Sequence, residues 1–66
     1  MNTLEKLAIR SLRNTLKRKA DDAQTRSHEA NWKNNQPEAA FFDGLVRGYL
    51  CSIVELDTML NILEKE

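Results

Sequence analysis

Small and apolar residues in the first half of the chain recur at steps of three and four: Ile9, Leu12, Leu16, Ala20, Ala23, Ser27 and Ala30. At 100° per residue they fill an arc of about 120°, the pattern of a helix with one buried side. In the second half, Phe42, Leu45, Tyr49, Ser52, Leu56, Met59 and Leu63 make one heptad seam. Val46, Leu50, Ile53 and Leu60 make a second seam beside it. Together the two seams span about 200°, more than a single neighbouring helix covers.

Between the halves stands Asn34-Asn35-Gln36-Pro37. Asn is a weak helix former, and Pro37 lacks the N–H that a helix interior requires. The same proline suits the first position of a new helix, and Glu38 behind it favours the positive end of the helix dipole. Asn2 followed by Glu5 resembles a capping box. The pattern therefore predicts an all-α chain: helix 1 over about residues 3–33, a turn at 34–36 and helix 2 over about 37–64. Two rods of equal length joined by a short turn form one antiparallel hairpin domain spanning residues 1–66.

With the turn at 34–36, facing residues should have numbers that add to about 71. This register sets Ser27 near Gly44 and Ala23 near Gly48, so the Gly44-x-x-x-Gly48 pair predicts close backbone approach between the helices. Farther from the turn, Leu12 and Leu16 face Leu60 and Leu56. One flank of helix 2 meets helix 1, and the other needs a partner. The expected partner is a second copy, giving a homodimeric four-helix bundle with Val46, Leu50, Ile53 and Leu60 as the dimer or partner interface.

Charge adds a polarity to this outline. The formal net charge is zero, yet residues 1–20 set Lys6, Arg10, Arg13, Lys17, Arg18 and Lys19 against Glu5, a net of +5. Residues 37–66 set Arg47 and Lys65 against Glu38, Asp43, Glu55, Asp57, Glu64 and Glu66, a net of −4. Antiparallel packing lays the basic segment beside the acidic one, with Lys17 near Glu55 and Lys6 near Glu64 or Glu66. Lys6, Arg10, Arg13 and Lys17 also share one helix face, and a row of this kind can follow a phosphate backbone. The carboxylates across the hairpin favour the pairing role, and no aromatic side chain interleaves with the row.

Aromatic residues gather at the turn. Phe42 is expected to plug the end of the core, while Trp32 and Phe41 are candidate contacts for a partner at the hairpin tip. His28, the single histidine, has no Cys, Asp or Glu at metal-binding helical spacing, and Cys51 is read as a small apolar residue with no neighbouring base. No glycine-rich phosphate loop and no nucleophile–base pair is present, so no catalytic residue, cofactor or metal is expected. One cysteine excludes an intramolecular disulfide. The first residues hold no basic-then-apolar export signal, and no apolar run approaches the length of a membrane span, which leads to a cytoplasmic expectation.

In length and helix pattern the chain is similar to the plasmid copy-number regulators built as RNA-binding hairpin dimers. That likeness implies a dimeric bundle and carries over no residue, since no motif is shared. The expected function is a small non-enzymatic protein-interaction module: a regulator, adaptor or inhibitor of a larger protein. The alternative is a nucleic-acid-binding regulator using the basic face of helix 1.

Overall fold

The computed structural model describes residues 3–65. Helix α1 runs Thr3–Trp32 and helix α2 runs Gln36–Glu64, and the two pack against each other as a hairpin. The first helix ends one residue before the expected boundary and the second begins one residue earlier. The expected Asn2 cap lies outside the described residues.

The turn follows from its asparagines. Asn34 takes a left-handed backbone (φ 57°), a conformation Asn tolerates better than most residues. Its N–H donates to the Asn31 carbonyl and the Asn35 N–H to the Ala30 carbonyl, at 3.1 and 2.8 Å. These two bonds form a Schellman stop with Asn in the usual glycine place. Asn35 then caps α2: its Oδ1 accepts from the Glu38 N–H, and its Nδ2 donates to Glu38 Oε2 at 2.7 Å. Pro37 sits in the first turn of α2, where no partner for an N–H is needed.

Cross-helix contacts fix the register. Ser27 meets Asp43 and Arg13 meets Asp57, pairs whose numbers add to 70. The interhelix seam is built from Ala20, Ala23, Ser27 and Ala30 on α1 and from Ala39, Ile53 and Leu60 on α2, all buried, with Val46 half-buried between them. Ala39, Val46, Ile53 and Leu60 repeat every seven residues, as a seam between two supercoiled helices does. Ser27 is the buried polar residue of this seam, and its hydroxyl donates to Asp43 Oδ1 at 2.6 Å.

This placement corrects three expectations. Ile53 and Leu60 lie in the seam within the hairpin, 9% and 8% exposed, and not on the outer flank. The polar partners explain the rotation of α2. Asp43, Asp57 and Glu64 occupy one heptad column, and for Ser27, Arg13 and Arg10 to reach them α2 must turn its Ala39–Leu60 column inward. Second, the glycines do not mediate close approach: a methyl group built on Gly44 or Gly48 would meet nothing within 4 Å. Both project from the side of α2 away from α1, and Cys51 is likewise exposed there. Third, Leu12 is half exposed, because Arg13 takes the inward position beside Ile9 and Leu16.

The hairpin is long and thin, 49 × 14 × 10 Å, with a radius of gyration of 15.1 Å. A compact chain of this length would have a radius near 11 Å. Its accessible surface is 5097 Å², against about 4,300 Å² for a globular monomer of this mass. Among the described residues no large side chain is completely buried.

Candidate interaction surfaces

Two flat faces flank the seam, and heptad spacing assigns residues to each. One face carries the column Asp43, Leu50, Asp57, Glu64 on α2 beside Arg10, Lys17 and Gln24 on α1. Here Arg13 Nε donates to Asp57 Oδ1, and Arg10 Nη2 to Glu64 Oε1 at 2.7 Å. The outlying apolar groups of this side are Leu50 and Val54, 50% and 64% exposed. Leu50 and Val54 stand one helical turn apart in an otherwise polar surface, and a small patch of this kind is ordinary on a protein.

The opposite face is apolar along α2. Phe42, Tyr49, Leu56 and Leu63 form its inner column, each half-buried against α1. Leu45, Ser52 and Met59 form the next column outward, with Met59 48% exposed. Helix α1 contributes Leu12 at the end farthest from the turn and Lys19 and Arg26 nearer to it. A groove of about 470 Å³ runs between the helices here, lined by Thr15, Lys19, Asp22, Ala23, Phe42 and Tyr49. Arg26 stacks its guanidinium 5.9 Å from the Phe42 ring centre while pairing with Asp22 at 3.0 Å.

The basic row is divided by these contacts. Arg10 and Arg13 pair with α2 carboxylates, as the charge polarity implies, but through Glu64 and Asp57. Lys17 does not reach Glu55, and among the described residues Lys6, Lys17, Arg18 and Lys19 are in no ion pair. Lys17 and Arg18 edge a shallow, open depression on the outer side of α1 with Ser11 and Asn14.

The aromatic tip is divided as well. Phe42 turns inward, as expected of a plug, and Phe41 packs edge-on against it with centroids 5.3 Å apart. Phe41 remains 62% exposed and Trp32 89% exposed. Trp32 projects from the side of α1 away from α2 and shares a shallow hollow with His28 and Asn31. It therefore stands apart from the phenylalanine pair.

Among the described residues, no cluster of three His, Cys, Asp or Glu side chains could hold a metal ion, and no helix is long and apolar enough to cross a membrane. Comparison with protein-family models, with curated proteins and with solved structures returns no significant match to this chain.

Proposed function

We propose that this chain is a small non-enzymatic protein-interaction module, a regulator, adaptor or inhibitor, that works as a homodimeric four-helix bundle. The observation that carries the reading is the apolar face formed by Leu12, Leu45, Tyr49, Leu56, Met59 and Leu63, of which Leu12 and Met59 are 50% and 48% exposed and the others incompletely buried. A face 49 Å long and two helix diameters wide offers about 1,000 Å², enough for the ~800 Å² per partner of a stable interface. A second copy seated on it completes a core that one hairpin lacks. The dimer interface then consists of the Phe42–Leu63 column and its outer neighbours, in place of the Val46–Leu60 column. Trp32, rigid and 89% exposed, is the anchor such a bundle offers to a larger protein.

Sedimentation equilibrium tests this reading. Wild-type protein is expected to be a dimer at micromolar concentration. Met59→Asp on the apolar face should weaken association at least tenfold, about 1.4 kcal/mol, while Val54→Asp on the other face should leave it unchanged. A folded wild-type monomer at that concentration would remove the basis for the bundle. The unpaired cations Lys6, Lys17, Arg18 and Lys19 favour a second reading, phosphate-backbone binding. Salt-sensitive binding to nucleic acid that is lost on Lys17→Glu with Arg18→Glu, two cations at one edge of the outer depression of α1, would promote it.

A further inference from the structure

We infer, resting on the dimer proposed above, that the two hairpins associate in parallel, with both turns at one end of the bundle and all four chain ends at the other. Two identical flat faces related by a two-fold axis can mate in two ways. With the axis across the helices, α1 lies on α1 of the second copy, α2 lies on α2, and the turns point in opposite directions. With the axis along the helices, α1 lies on α2 of the second copy and the turns coincide.

Charge separates these arrangements. Residues 1–20 carry a net +5 and residues 37–66 a net −4. The crossed arrangement sets α1 against α1, so the basic middle of each first helix, with Lys19 on the mating face, meets its own copy. In the parallel arrangement every neighbouring pair, within or between copies, is an α1–α2 pair, and like helices meet only across the diagonal. The polarity that Arg10–Glu64 and Arg13–Asp57 satisfy inside the hairpin is then satisfied a second time between hairpins.

Apolar matching separates them in the same direction. On the mating face Leu12 is the large apolar side chain of α1, which carries Lys19, Asp22 and Arg26 toward the turn, whereas α2 is apolar apart from Ser52. Crossing the copies at mid-length sets Leu12 against the charged stretch of Asp22 and Arg26. Parallel copies lie at equal height, so the register near 70 that holds within the hairpin also holds between copies. Leu12 then meets Met59 of the second copy. Lys19 meets Ser52 of the second copy, with Glu55 one turn away at the offset that Arg10 and Glu64 use within the chain. Neither Lys19 nor Glu55 has an ion-pair partner among the described residues of one hairpin. The parallel bundle also sets two Trp32 side chains at one end, a bivalent tip.

A pulsed dipolar measurement decides the matter. Cys51→Ser removes the exposed native thiol, and Lys33→Cys, exposed beside the turn, carries one nitroxide per chain. The parallel bundle predicts a spin–spin distance of about 20–30 Å, set by two or three helix diameters. A distance near the 49 Å length of the hairpin would keep the dimer and overturn the parallel arrangement. No dipolar modulation at micromolar concentration would overturn the dimer itself.

Discussion

The two broad faces of the hairpin come from the same pair of helices and share the same seam, yet they finish that seam in different ways. On one side Asp43, Asp57 and Glu64 bring Ser27, Arg13 and Arg10 across the helix boundary, and the edge is closed by polar contacts that water can reach. On the other side Phe42, Tyr49, Leu56 and Leu63 lie half-buried against α1, and Leu12 and Met59 beside them stay about half exposed. Ion pairs orient the helices at little net gain in free energy, because exposed charges give up hydration to meet. Apolar side chains gain only in proportion to the area they remove from water. The polar face therefore sets the register and is complete. The apolar face holds the larger share of attainable stability and leaves it partly unused.

Truncation on each face exposes that contrast most directly. Leu56→Ala, on the apolar face, is expected to cost about 2 kcal/mol or more in urea unfolding at fixed protein concentration. Leu50→Ala, on the polar face and already half exposed, should cost less than about 1 kcal/mol. Equal losses would mean that the faces do not differ in burial. A smaller effect, of opposite sign, belongs to the outer side of α2. Gly44 faces open space within a helix, so Gly44→Ala should raise stability by about 0.5–1 kcal/mol through helix propensity. A lower melting temperature would restore the close-approach role that the glycine spacing suggests. The smallest effect is that of the polar face itself. A double-mutant cycle on Arg13 and Asp57 should give a coupling of about 0.2–1 kcal/mol, weakened by salt. A coupling several times larger would make the ion pairs a principal source of stability.

Much of the architecture is legible in the sequence, for identifiable reasons. Asn34-Asn35-Gln36-Pro37 concentrates a left-handed-tolerant residue, a cap and a first-turn proline in four positions, so the turn and both helix boundaries fall within a residue of expectation. Once the turn is located, the register follows within one residue. The rotation of α2 does not follow, because its two seams lie side by side, both are rich in large apolar residues, and periodicity cannot choose between them. The signal that does choose is polar: Asp43, Asp57 and Glu64 share a heptad column, and the first two are complementary to Ser27 and Arg13 at a common sum of 70. Ala39, one heptad before Val46, adds a small residue at the narrow end of the same seam. The glycine spacing is silent for a related reason: it does not report which side of a helix the residues occupy, and both glycines face open space.

The constant sum that defines the register also orders the hairpin in time. Contacts near the turn join residues close in sequence, as Ser27 and Ala39 do across 12 positions, while Arg13 reaches Asp57 across 44 and Arg10 reaches Glu64 across 54. Each contact formed shortens the loop that the next must close, so assembly is expected to run as a zipper from the Asn34–Asn35 corner toward the far ends of the helices. The arginine pairs close last and open first. Substitutions beside the corner, at Ala30 or Ala39, therefore act on the rate of folding, whereas those at Arg10 or Glu64 act on the rate of unfolding. The corner starts the structure, and the distant salt bridges help set how long it stays closed.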